Sequence, residues 1–234
     1  MFLRNPKDTA KRFIEINHPE CAGALLAGSC ARGEATQTSD LDIIILYAGE
    51  NQAYRESLLF EGWPVEAFVY TGEAYLKFFA SDADRGIPSM PRMVSEAIVL
   101  KESPAVTKMK SEANSIFSAG PSPWSKQKID HNRYMITNLM DDFLDKEVGG
   151  EAYFLANAII NDLAIFTLRT RQHWIGSGKW MFRELKSMDA ALANRFEQSL
   201  AAFYQQHDKQ AIVELADDCL DPYGGRLFEG YYVG

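Results

Sequence analysis

Asp40 and Asp42 stand two positions apart at the head of an apolar run, Ile43 to Leu46. The run is short and β-branched, which predicts a buried strand. Positions i and i+2 of a strand share a face, so both carboxylates point the same way. Like charges a few ångströms apart repel, and a fold keeps such a pair where solvent screens it or a cation neutralises it. Hard divalent cations such as Mg²⁺ take oxygen ligands of this kind and commonly carry substrate phosphates as well. Upstream, the apolar run Ala24 to Ala27 ends in Gly28-Ser29, and ten residues separate Ser29 from Asp40. Glycine lets a backbone approach a ligand closely. Backbone N–H groups and the Ser29 hydroxyl then suit phosphate oxygens. A phosphate cradle beside a carboxylate pair makes a site for a metal–nucleotide.

The elements that must hold these residues follow from pattern. A helix is predicted over Pro6 to Asn17, capped by Asn5. A first strand covers Gly23 to Ala27, the Gly28 to Gly33 loop leads into a helical turn, and the second strand is Leu41 to Tyr47. Ala48 to Gly62 is polar and reads as a loop with room for a helical turn. Trp63 to Tyr70 alternates and is rich in β-formers, a third strand with Glu66 in its middle. A helix from Thr71 to Asp84, a strand over Ala97 to Leu100 and a helix from Pro104 to Ser118 follow. Gly120-Pro121-Ser122-Pro123 is the clearest breaker in the chain. Beyond it the period becomes helical: Trp124 to Asp145, Glu151 to Trp174, Lys179 to Ser187, Ala190 to Gln206 and Lys209 to Leu220. Pro222 to Gly234 is rich in glycine and aromatics and has no helical period.

Gly28-Ser29, its spacer and Asp40-Leu41-Asp42 resemble the signature of the DNA polymerase β-like nucleotidyltransferase superfamily. The form Gly-Ser-x-Ala-Arg-Gly, Gly28 to Gly33, is that of its small bacterial members, the antibiotic and minimal nucleotidyltransferases. A solvated strand end would account for one of the acids and poorly for the whole set. The pattern gives an α/β (α+β) chain with its boundary at the Gly120-Pro121-Ser122-Pro123 breaker: a small mixed-sheet domain over residues 1–120, then an all-α helical bundle over 121–234. The resemblance implies that the first is a nucleotidyltransferase domain and, more coarsely, that the second binds the acceptor. It implies Mg²⁺ held by Asp40, Asp42 and a third acid on a later strand, for which Glu66 is the candidate, as metal ligand or as base. Gly28 and Ser29 would hold the nucleotide phosphates. Arg32 is close enough in sequence to reach a phosphate or to pair with a neighbouring acid. In relatives with a helical second domain a lysine from that domain often meets the triphosphate, which makes Lys179 a candidate nucleotide contact.

Gly176-Ser177-Gly178-Lys179 superficially resembles a P-loop. His173 stands where the first glycine belongs, Trp180 replaces the Ser/Thr, and a helix rather than a strand precedes it. The segment reads as a helix break with Lys179 opening the next helix. Asp141-Asp142 could receive a cationic group but reads as a solvated face, as do Asp82, Asp84, Asp217 and Asp218. Trp174, Trp180 and Phe182 read as core or interface.

The 234 residues carry a net charge of −8 and a pI near 5.1. That balance argues against a nonspecific nucleic-acid binder and is compatible with a cationic small molecule. Cys21, Cys30 and Cys219 form no CxxC pair and the four histidines have no zinc spacing, as expected in a reducing compartment. The start, MFLRNPKDTAKR, has no apolar signal-peptide core. Phe154 to Leu168 is interrupted by Asn157, Asn161 and Asp162 and is expected to be too short and polar to span a bilayer. A cytoplasmic enzyme is expected, acting on an NTP and a small-molecule acceptor with an aminoglycoside-like hydroxyl, without nucleic acid or membrane. Two alternatives stay open: a minimal nucleotidyltransferase that modifies a protein, as in an antitoxin, and a nucleotide-binding module without catalysis.

Overall fold

A computed structural model describes residues 5–233. The chain divides into two compact units between Ala119 and Gly120. The first unit runs α1 (Pro6–Asn17), β1 (Gly23–Ala27), α2 (Gly28–Ala31), β2 (Leu41–Tyr47), β3 (Ala53–Phe60), β4 (Trp63–Thr71), α3 (Leu76–Arg85), α4 (Ser89–Glu96), β5 (Ile98–Lys101) and α5 (Pro104–Ala119). Its five strands form one mixed sheet in the order β3-β4-β2-β1-β5. β2 and β4 are parallel, and the other neighbours are antiparallel.

β2 is the central strand, and its apolar run suits burial on both faces of the sheet. Ile43, Ile44 and Ile45 are all fully buried, each contributing about 1.5–3 kcal/mol of burial free energy. Ile43 and Ile45 face Phe13 and Ile14 of α1 in one core layer. Ile44 and Leu46 join a second layer with Phe79 of α3, Val94 of α4 and Met109 of α5. α1 starts where expected because the Asn5 side chain accepts from the Lys7 N–H at 2.9 Å and Pro6 opens the helix.

Four expectations need correction. Ala48 to Gly62 is not a loop: it contains β3, an edge strand paired along its whole length with β4. Glu61 and Gly62 connect the two with φ of 48° and 86°, the left-handed pair that a tight hairpin turn requires. The helix expected from Thr71 begins at Leu76, after a turn. A separate helix, α4, occupies Ser89–Glu96, where none is predicted. Asp82 is responsible for part of this. It is buried, with 4% of its surface exposed, accepts the Met90 N–H at 2.7 Å and pairs with Arg85. Its carboxylate thereby satisfies a donor in the first turn of α4, so Asp82 is not the solvated acid expected.

The second unit contains α6 (Lys126–Asp145), α7 (Gly150–Thr170), α8 (Lys179–Met188), α9 (Ala190–Gln206) and α10 (Gln210–Leu220), followed by a 3₁₀ turn at Asp221–Tyr223. By length and composition α7 could cross a membrane. Within this unit its Ala156, Ile159, Leu163 and Phe166 are buried, and it lies beside α6, α8 and α10. The last residues are fastened to α6. The Arg133 guanidinium donates to the Gly225 and Gly224 carbonyls at 2.8 and 2.7 Å, and the Tyr231 ring stacks on Tyr134 with centroids 4.0 Å apart.

Candidate active site

Register brings the acids together. In the parallel pair, Asp42 of β2 lies opposite Glu66 of β4, and in the antiparallel pair it lies opposite Ala27 of β1. Side chains alternate along a strand. Asp42 and Glu66 therefore share the sheet face of Ile44, Leu46 and Tyr70, which is the layer covered by α3, α4 and α5. They occupy the start of that face, where β2 and β4 begin. Asp40, just before β2, adds its carboxylate to theirs, and oxygen atoms of Asp40, Asp42 and Glu66 all lie within 4.8 Å of one another. All three are half-buried.

The turn after β1 is shaped around this cluster. Gly28 has φ +68°, and a Cβ built on it would sit 1.9 Å from Asp42 Oδ2. Only glycine combines that backbone conformation with that proximity. Ser29 Oγ donates to Ser39 Oγ at 3.1 Å, and Ser39 Oγ also accepts the Thr36 N–H at 2.9 Å. Cys30 Sγ donates to the Asp40 carbonyl at 3.1 Å. Burial, reinforced by Asp42 and Asp40, pushes the Cys30 thiol up to about 11, so it is a protonated packing residue that fixes the Asp40 backbone.

The electrostatics record the crowding. Burial first, then the Asp40 and Glu66 carboxylates, push Asp42 up to about 6, with Arg55 and Arg32 drawing it partway back. A half-buried carboxylate beside two others is destabilised in its charged form unless a cation joins it. The donor set consists of hard carboxylate oxygens and fits Mg²⁺ or Mn²⁺.

The candidate residues are placed unevenly. Gly28, Ser29, Asp40, Asp42 and Glu66 come together. The Arg32 guanidinium meets Glu34 Oε2 at 3.2 Å and Glu96 Oε2 at 3.0 Å and is also close enough to act on Asp42. Lys179 is exposed at the start of α8 in the second unit. The loop before it is a helix break, as expected: a Cβ on Gly176 would meet the Trp180 Cβ at 2.5 Å, so that glycine serves packing. Asp141, Asp142 and Asp84 are exposed, whereas Asp217 and Asp218 pair with Arg226 and Arg195. Of the aromatics expected in the core or at an interface, Trp174 is buried and Phe182 is exposed, so Phe182 is not a core residue.

Arg55 is absent from the sequence reading. It lies on β3, forms an ion pair with Glu66 Oε2 and stacks its guanidinium over the Phe68 ring at 4.9 Å. The signal that could have found it is Glu61-Gly62, a two-residue glycine turn directly before a predicted strand, which implies a partner strand upstream.

Residues 8–85 match the family profile described as the nucleotidyltransferase domain. No curated protein matches the chain. Among solved structures, a nucleotidyltransferase-like protein from Exiguobacterium sibiricum is similar with a TM-score of 0.44 and 13% identity, over 93% of this chain and 73% of that one. The matched residues contain the Gly28-Ser29 turn and all three clustered acids, and this stretch of the chain is a nucleotidyltransferase domain of the DNA polymerase β-like superfamily.

Proposed function

We propose that the protein transfers a nucleoside monophosphate from an NTP to a hydroxyl of a small molecule in the cytoplasm. In this reaction the acceptor oxygen bonds to the α-phosphorus, the bond to the β-phosphate bridging oxygen breaks, and pyrophosphate leaves. The observation that carries the proposal is the three-carboxylate cluster beside the Gly28-Ser29 turn, inside a nucleotidyltransferase domain. Asp40, Asp42 and Glu66 would hold Mg²⁺, which supplies positive charge to the triphosphate and to the charge developing at the α-phosphorus. Gly28 and Ser29 would bind the outer phosphates, and Arg32 would add positive charge at the same turn. As an alternative to holding the metal, a Glu66 oxygen within hydrogen-bond reach of the acceptor would take the hydroxyl proton. Lys179 is a further candidate for the triphosphate.

We assign acceptor recognition to the helical unit, which lies wholly outside the residues matching the family profile. An aminoglycoside-like polyamine alcohol fits the net charge of −8. The three unpaired cysteines support the assignment to the cytoplasm. The test uses NTPs labelled separately at the α- and γ-phosphorus, incubated with Mg²⁺ and a panel of aminoglycosides and other polyols. Transfer of α-label to an acceptor with release of pyrophosphate supports the proposal. Transfer of γ-label, or release of inorganic phosphate alone, overturns it.

A further inference from the structure

Arg55 places a positive charge directly on the acid cluster. It reaches Glu66 from the edge strand β3, two residues from Ser57, the register partner of Glu66. Its guanidinium lies over the Phe68 ring, 4.9 Å from the centroid, while 54% of the side chain is exposed against 27% for Glu66. One carboxylate oxygen of Glu66 is thereby occupied, and a cation entering the cluster meets both that competition and a like charge. Arg32, the other arginine acting on Asp42, is engaged by Glu34 and Glu96.

A divalent cation that arrives with a polyphosphate changes this balance. The phosphates offer a guanidinium a bidentate anionic partner, and the exposed Arg55 side chain is free to reorient about its Phe68 contact. We propose that Arg55 is a selectivity residue: it competes with a bare divalent cation for Glu66 and turns to phosphate when the cation comes bound to a nucleotide. The site then prefers metal–nucleotide over free metal. The inference rests on the reading of Asp40, Asp42 and Glu66 as the metal site.

The experiment titrates Mn²⁺ into the full chain and reads free Mn²⁺ by electron paramagnetic resonance, with and without a non-hydrolysable NTP analogue. Wild type, Arg55→Met, Arg55→Lys and Asp42→Asn are compared, with thermal melting to confirm folding. Methionine keeps an apolar stem over Phe68 and removes the charge. Arg55→Met is expected to bind Mn²⁺ alone about fivefold tighter than wild type, and the analogue in the presence of Mn²⁺ at least about fivefold more weakly. Arg55→Lys, which retains the charge, should bind Mn²⁺ alone as wild type does. Equal or weaker Mn²⁺ binding by folded Arg55→Met, or unchanged analogue affinity, overturns the role of Arg55 and leaves the metal site standing. No Mn²⁺ binding by wild type, or equal binding by Asp42→Asn, overturns the metal site and this inference together.

Discussion

Asp42 Oδ2 occupies the space that a side chain on Gly28 would fill, 1.9 Å from the position of its Cβ. The turn after β1 and the carboxylate on β2 are therefore one structural unit, and the glycine-serine pair and the acid pair depend on each other through a steric requirement. Gly28→Ala must displace Asp42 as well as strain a backbone at φ +68°. The strain alone costs about 1–2 kcal/mol. The expected outcome is a melting temperature lowered by several degrees together with loss of Mn²⁺ binding. A Gly28→Ala protein that melts lower and still binds Mn²⁺ normally would show that the contact matters only for folding.

The pH dependence of metal-free stability reads the crowding of Asp42. Its pKa is raised from 3.8 to about 6, so the native state holds a proton that the unfolded chain has already released. This contribution to stability is present below about pH 4 and is lost as pH rises through 6. Replacement by Asn removes the buried charge. In EDTA, Asp42→Asn should be more stable than wild type at pH 7.5, by on the order of 1–3 kcal/mol, and the gap should close toward pH 4. A variant no more stable than wild type at pH 7.5 would place Asp42 in a solvated setting.

Much of this was legible from residue pattern, and the exceptions have physical causes. β1, β2 and β4 announce themselves because their burial leaves a β-rich apolar signature, and α1 because Asn5-Pro6 is a cap followed by a helix opener. β3 does not, since Ala53 to Ser57 are exposed and an edge strand needs no apolar face. Its residues, Tyr-Arg-Glu-Ser, look like loop. Losing β3 from the reading also loses Arg55, whose place at Glu66 exists only through β3–β4 pairing. α4 is hidden for a different reason. Pro91 lies within its first turn, a position a helix tolerates, and the capping carboxylate of Asp82 comes from the preceding helix rather than from the local sequence.

Ser29 tests the phosphate cradle. Its hydroxyl donates to Ser39 Oγ and also touches the Cys30 thiol, on a half-buried turn. Ser29→Ala should leave melting within about 1 kcal/mol of wild type. A lost hydrogen bond to a charged phosphate is worth roughly 1.5–3 kcal/mol, so kcat/KM for the NTP should fall by about 10- to 100-fold. An unchanged kcat/KM would make Ser29 a turn residue.

Glu66 has two assignable roles, and its Gln variant divides them. As a metal ligand, its loss shifts the Mg²⁺ dependence of turnover to higher concentration and weakens nucleotide binding. As a base alone, its loss lowers turnover by roughly 10²–10⁴ at unchanged Mg²⁺ dependence. The proximity of its oxygen to those of Asp40 and Asp42, within 4.8 Å, predicts the first result. The second would remove Glu66 from the metal set.

On the proposed reading, the Asp40–Asp42–Glu66 cluster holds a divalent cation together with an NTP. Calorimetric titration of a non-hydrolysable NTP analogue, with Mg²⁺ and again with EDTA, measures this without knowledge of the acceptor. Wild type is expected to bind saturably in Mg²⁺ and at least about tenfold more weakly in EDTA, with no difference between the two conditions for folded Asp42→Asn. Equal affinity with and without Mg²⁺ in wild type, or an undiminished Mg²⁺ effect in Asp42→Asn, would contradict it.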